Sequence, residues 1–185
     1  AFAVMEAINK RFWLHDFQVY YDAATNFFSG STVYGITFGL GSGYYKYSPF
    51  ALFIFYPLTW VSYDVAKVIY FIFLSLLIMI TVIVSDRLVK EKLFGELDTK
   101  PRLLILLIIT IAFLQHIYYE LHLGNINILL LLLSLNALYL LLKRKEWAAG
   151  LILAFAILIK PHFIIFVIKK FLKSIKPIKP KELID

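Results

Sequence analysis

The sequence predicts an all-α polytopic membrane protein. Three observations lead there: the composition, the long uncharged apolar runs, and the short basic stretches that separate them. Of 185 residues, 61% are hydrophobic and 17% charged, and the mean hydropathy is +0.80. A soluble domain lies nearer half apolar and a quarter charged. The chain has no Cys, which excludes a thiolate nucleophile, a disulfide and any Cys-ligated metal. Its net charge of +7 sits in loops between apolar runs, a placement that topology explains better than nucleic-acid binding does. The chain opens at Ala1 without a signal-peptide pattern, and it reads as an internal fragment whose first membrane helix lies upstream.

Three runs qualify as spans by length and polarity: Ala66 to Ser85, Leu103 to Tyr119 and Ile126 to Leu142. The first carries only Lys67, at its start, and the other two carry no formal charge. Their direction follows from Lys and Arg in the short loops. The loop Asp86 to Arg102 is basic, as is Lys143 to Trp147, whereas Glu120 to Asn125 holds neither Lys nor Arg. Both basic loops are therefore expected to face the cytoplasm, with Glu120 to Asn125 and everything before Ala66 outside. This divides the chain into an extracytoplasmic segment with interfacial helices (1–64), a transmembrane bundle (65–173) and a basic cytoplasmic tail (174–185).

Within the outer segment, Phe17, Tyr20, Tyr21, Ala24, Phe27 and Phe28 recur on one helical face, and Gly30 supplies a stop. The pattern predicts a helix lying in the headgroup region with its rings towards the membrane. After the Gly-rich stretch Gly39 to Gly43, Ser48 and Pro49 form an N-cap and first-turn pair. The run from there to Trp60 is too short to span and is expected to pack on the bundle near the outer surface.

The last apolar run, Ala148 to Ile168, is interrupted by Lys160-Pro161, a charge and a helix breaker at membrane depth. A single crossing would place the Lys-rich tail outside, against the positive-inside bias. Two half-helices turning at Lys160 keep both ends inside, and this re-entrant reading is preferred.

The candidates for chemistry gather at the outer end of the bundle: Asp16, the Tyr44-Tyr45-Lys46-Tyr47 cluster, His122, Asn125 and the Lys160 turn with its neighbour His162. Each has a structural alternative. For Asp16 it is the cap of a helix beginning at Phe17. Asp22 reads as a solvated polar-face residue, His122 as an interfacial histidine bonded to backbone, and His116 as a satisfied core residue. Asn127 and Asn136 suit interhelical hydrogen bonds. Lys160 is harder to explain structurally, because an ammonium at that depth needs an anion or a cavity. No His/Glu spacing suggests a metal site.

The stretches HDFQVYYDAATNFFSGSTVYG, YKYSPFALFIFYPL, HLGNINILLLLLSLNAL and AAGLILAFAILIKPHF, in this order, resemble glycosyltransferase family 87. Those proteins are mannosyltransferase-like, use polyprenyl-phosphate sugars and have the GT-C fold. The resemblance covers Asp16 to about Lys170. It implies a GT-C-like helix bundle, an inner-membrane location with the active site facing outward, and Asp16, the aspartate of the first outer loop, as general base. There are two departures. The family usually shows Tyr-x-Tyr-Pro-Pro where this chain has Ser48 before Pro49, and Gly-Gln where it has Gly124-Asn125.

The chemistry is coherent with these residues. A sugar on a lipid phosphate has to be met at the bilayer surface. Direct transfer with inversion to a glycan or glycolipid acceptor needs one base, and an outer-face Asp16 is placed for it. The leaving phosphate needs a cation, which Lys160 supplies with Lys46 or His122 assisting. Tyr34, Tyr45 and Tyr47 offer rings for the sugar. No metal or other cofactor is expected. The alternative is a transporter or scaffold for lipid-linked intermediates, since broken helices with a central charge also occur there; the absence of an internal repeat counts against it.

Overall fold

The computed structural model describes residues 6, 8, 9, 12–39, 43–90 and 99–165. Helix α1 spans His15–Phe28. A two-stranded antiparallel ribbon follows, β1 (Thr37–Phe38) with β2 (Gly43–Tyr44), paired Thr37 to Tyr44 and Phe38 to Gly43. Helix α2 (Pro49–Phe55) continues into a 3-10 turn at Tyr56–Trp60. The long helices are α3 (Tyr63–Val89), α4 (Thr99–Leu123), α5 (Asn127–Leu142) and α6 (Glu146–Ile159), with a second 3-10 turn at Pro161–Phe163.

Helices α5 and α6 run in opposite directions because the turn Lys143–Lys145 that joins them is short. Helix α5 has 16 residues, about 24 Å at 1.5 Å per residue. It runs from Asn127 to the basic turn Lys143–Lys145. Helix α6 returns along it, so that Lys160 meets Asn127 where α5 began. Helix α5 also packs on α3, and α3 on α4. The basic turn and the ribbon end are thus opposite ends of one bundle. Among the described residues, α3 is the one unbroken helix long and apolar enough to cross a membrane. The α4 segments Leu103–Ile109 and Ile111–Leu123 meet that test together across a 47° bend, while α5 and α6 are apolar but shorter.

Helix α1 closes the ribbon end as a lid, and its termini show why it stops where it does. Gly30 adopts φ +76° beyond the last turn. The Ser31 N–H bonds the Asn26 carbonyl and the Gly30 N–H that of Phe27, the paired C-terminal closure that satisfies carbonyls a helix end leaves open. Its apolar face meets protein rather than lipid. Phe17 is fully buried, stacked on Tyr70 at 4.2 Å and on Tyr63 at 5.9 Å, and Tyr20 lies 4.7 Å from the Phe55 ring. The expectation that these rings point into the membrane is therefore corrected for Phe17 and Tyr20: an aromatic stripe has the same spacing whether it covers a bilayer or a bundle. Phe27 and Phe53 remain exposed further along.

The interruption at Lys160 is present. Helix α6 ends at Ile159, and Lys160 is extended (φ −136°, ψ 97°) before Pro161. The returning arm of the expected re-entrant pair, and the tail, lie outside the described residues. Pro161 lacks an N–H, so the last carbonyls of α6 need other donors. Ser48 provides them: its N–H bonds the Ile159 carbonyl at 3.3 Å and its hydroxyl bonds that of Leu158. Ser48 and Pro49 are the N-cap and first-turn pair of α2, as expected, but the Ser48 hydroxyl closes the end of α6 rather than bonding into α2.

Candidate functional site

Asp16 lies within the first turn of α1, and the position preceding the helix belongs to Leu14, without a side-chain cap bond. The cap explanation for Asp16 therefore fails. Leu14 is almost fully buried in the left-handed region, φ 49° and ψ 58°, a conformation disfavoured for a branched side chain and kept only where its surroundings enforce it. Here the Tyr63 hydroxyl bonds the Trp13 carbonyl and reaches that of Leu14 at 3.4 Å. The sharp entry aims the first turn of α1 at the α4–α5 turn.

Gly124 makes the approach possible. It has φ +70°, and a Cβ there would stand 3.0 Å from the Cβ atoms of both Leu14 and Phe17. The next residue, Asn125, donates from Nδ2 to Asp16 Oδ2 at 2.8 Å. Its Oδ1 accepts from the Tyr47 hydroxyl at 3.3 Å and from the Asn127 N–H at 3.2 Å. Tyr20 donates to the Tyr47 hydroxyl at 3.1 Å. Asn127 extends the chain in two directions: its Nδ2 donates to Glu120 Oε1 at 3.1 Å and its Oδ1 accepts from Lys160 Nζ at 3.1 Å. The Lys160 ammonium also lies 5.2 Å from the centre of the Tyr47 ring. Among the described residues no carboxylate lies within ion-pair distance of it.

One network thus joins Asp16, Asn125, Tyr47 and Lys160 from the sequence-derived candidates. It adds Tyr20, Asn127 and Glu120, which were not singled out as site residues. Glu120 had a visible signal: it is the lone acidic residue between Asp98 and Glu146, and such a carboxylate in apolar sequence calls for a role.

Burial raises the Asp16 pKa above its ordinary value, against the opposing pull of the Asn125 bond and the charges of His15, Lys46 and Lys160. An aspartate held this way is a stronger base than a solvated one and is still favoured in its ionised form by the cations around it. Burial likewise raises the Tyr45 and Tyr47 phenols, which keeps them as protonated donors.

The remaining candidates fall around this centre. Tyr34 donates to the Tyr47 carbonyl at 2.9 Å and Tyr45 to the Ser48 carbonyl at 2.8 Å, with their rings 5.8 Å apart. Lys46 is exposed and acts on Asp16 through its charge. His162 is exposed on the turn after Lys160. His122 pairs through Nδ1 with Glu6 Oε2 at 2.8 Å, its ring stacked on Tyr118. Asp22 is half-buried and accepts a long 3.4 Å bond from the Gly39 N–H. His116 is exposed, which corrects its reading as a core residue, and Asn136 bonds within its own helix to the Leu132 carbonyl. Among the described residues no group of three or more His, Asp or Glu stands close enough to hold a metal ion.

The sequence pattern of glycosyltransferase family 87 matches residues 45–172, more than half of the chain. The chain belongs to glycosyltransferase family 87. Membership makes it a glycosyltransferase, with a sugar donor and an acceptor as substrates, and the apolar α3 fits a membrane protein. No curated protein and no solved structure matches the chain. In this family 87 chain the matched range contains Tyr47, Glu120, Asn125, Asn127 and Lys160. Asp16 lies before it.

Proposed function

We propose that this family 87 protein transfers a sugar, mannose by family resemblance, from a polyprenyl-phosphate donor to a glycan or glycolipid acceptor. The reaction takes place at the outer face of the inner membrane on a GT-C-like polytopic bundle. The observation that carries the reading is the pairing, in one hydrogen-bonded network, of a half-buried Asp16 with a Lys160 ammonium that has no carboxylate partner among the described residues.

The acceptor hydroxyl oxygen attacks the anomeric carbon, and its proton passes to Asp16. The bond from the anomeric carbon to the phosphate oxygen breaks on the opposite side with inversion. Its electron pair leaves with the polyprenyl phosphate, whose added negative charge meets Lys160. Tyr47 bridges the two halves, its hydroxyl on Asn125 and its ring beside Lys160. The exposed Tyr34 ring and Lys46 border the same end and suit the sugar and the phosphate oxygens, with the buried Tyr45 packed behind Tyr34. His162 is adjacent to the Lys160 turn. His122, engaged with Glu6, is the weakest of the phosphate candidates. No resident cofactor is invoked, because the base and the cation are protein side chains.

The test is sugar transfer from a polyprenyl-phosphate mannose donor by full-length protein in proteoliposomes. Asp16→Asn keeps the size of the side chain and one oxygen to accept from Asn125 but removes its basicity. It is expected to lower transfer by about 10²-fold or more, the scale on which a positioned base contributes, with donor binding retained. Asp22→Asn is expected to stay within about threefold of wild type. Near-normal transfer by Asp16→Asn, or equal losses at both positions, would overturn the assignment.

A further inference from the structure

We infer that Glu120 is a positioning residue for the phosphate-binding cation, acting through Asn127 on Lys160. This rests on the reading of Lys160 as the group that meets donor phosphate.

Glu120 sits in the last turn of α4, where its carbonyl accepts the N–H groups of both Gly124 (3.0 Å) and Asn125 (3.2 Å). The residue whose backbone holds the α4–α5 turn therefore also directs a carboxyl under it. That carboxyl is half-buried: Oε1 accepts from Asn127 and the Ile128 N–H at the start of α5 faces the carboxyl, while Oε2 is sealed from solvent without a hydrogen bond of ordinary geometry. Burying a carboxyl with one oxygen so poorly served is unfavourable. Its placement is explained by what Oε1 does.

An amide side chain has a donor end and an acceptor end. With Nδ2 of Asn127 fixed by Glu120, Oδ1 is forced to point the other way, where it receives the Lys160 ammonium. The backbone N–H of Asn127 is separately held by Asn125, so the residue is fixed at both ends. The interposed amide matters electrostatically. A direct Glu120–Lys160 ion pair would neutralise the ammonium at contact distance, where Coulomb attraction is strongest. A neutral acceptor holds the ammonium in place and leaves its charge unspent for an incoming anion. The Tyr47 ring, 5.2 Å from Nζ, limits it on another side without neutralising it either.

A residue that acts only by placing Lys160 has no effect once Lys160 is gone, and a double-mutant cycle reads this directly. The measurement is the affinity of purified full-length protein in nanodiscs for farnesyl phosphate, a short polyprenyl phosphate. Lys160→Ala is expected to weaken binding roughly tenfold or more, as loss of a charge-assisted contact does. Glu120→Ala is expected to weaken it about threefold to tenfold. In the Lys160→Ala background, Glu120→Ala should add less than about twofold. Glu120→Gln, which keeps the acceptor oxygen for Asn127, should restore affinity to within about twofold of wild type. Asn127→Ala removes the same link from its other side and should follow the Glu120→Ala pattern in both backgrounds, which covers the case of a poorly folding Glu120→Ala protein.

Losses that multiply in the double variant would overturn the inference and make Glu120 a general structural residue. A Glu120→Gln protein as weak as Glu120→Ala would overturn it too, because charge and not positioning would then matter. Unchanged affinity in Glu120→Ala beside a weakened Lys160→Ala defeats this inference alone. Unchanged affinity in Lys160→Ala defeats the phosphate reading on which it rests, and the inference with it.

Discussion

Replacing Gly124 with Ala tests whether the close approach of the α4–α5 turn to α1 is what delivers Asn125 to Asp16. Two separable penalties follow from the structure. Gly124 has φ +70°, and an L-residue in that region costs about 1–2 kcal/mol. The added methyl would also stand 3.0 Å from the Cβ atoms of Leu14 and Phe17, both close to the α1 backbone and unable to swing away. Helix α1 and the turn must then separate by a few tenths of an ångström, against the packing of a fully buried Phe17. Gly30 is the control: it has φ +76° but open space around its Cβ position, so Gly30→Ala carries only the first penalty. Thermal unfolding of the full-length protein in detergent is the assay. At about 2–4 °C per kcal/mol for a chain of this size, Gly30→Ala should lower Tm by about 2–8 °C and Gly124→Ala by several degrees more. Transfer should fall markedly only in Gly124→Ala, because only there does the 2.8 Å Asn125–Asp16 bond open. Equal Tm losses with unchanged transfer in both variants would refute the reasoning.

Further expectations follow from the same contacts. Ser48→Pro removes the N–H and the hydroxyl that close α6 at Ile159 and Leu158. It should destabilise by about 1–3 kcal/mol in a denaturation assay, with Ser48→Ala losing about half as much, since each carbonyl is left without a donor. Tyr47→Phe keeps the ring beside Lys160 but loses the hydroxyl bonds to Asn125 and Tyr20. It should therefore lower transfer less than Tyr47→Leu, which loses both, and steady-state rates decide between them. For topology, the chain has no native Cys, so single cysteines at His162 and Lys145 can be labelled with an impermeant maleimide. The cysteine at 162 should react from outside and the one at 145 only when the inner side is opened. The reverse pattern would invert the proposed orientation.

Much of this was legible in the sequence, for identifiable reasons. Apolar runs at helix length, uncharged but for Lys67 at the start of the first, announced α3, α4 and α5, because a charge within such a run is expensive and its absence informative. Lys160-Pro161 announced the break in α6, because proline removes a donor whatever its surroundings. The lid helix was legible as a helix, through its aromatic repeat and Gly30, but not in its orientation, which depends on whether Tyr63, Tyr70 and Phe55 or lipid receives the rings. The pairing of Asp16 with Asn125 could not be read either, since residues 109 positions apart meet only through the left-handed Leu14 and the missing Cβ of Gly124. Glu120 stands at a loop boundary, where a carboxylate reads as solvated, although its isolation in apolar sequence signals a role. The short β1–β2 ribbon left no pattern strong enough to detect.

The central claim is that Asp16 works as an ionised base within the field of Lys160, and the pH dependence of transfer at saturating donor tests it most directly. Burial raises the Asp16 pKa and the nearby cations pull it back. The base works only when ionised, so the rate should fall on the acid side through a pKa above the ordinary 3.8 of aspartate. Removing the Lys160 charge removes one of the influences that lower this pKa. The acid limb of Lys160→Ala should therefore move to higher pH, with residual activity recovering as pH rises. An acid limb at the ordinary aspartate value, or one that stays in place when Lys160 is removed, would contradict the account.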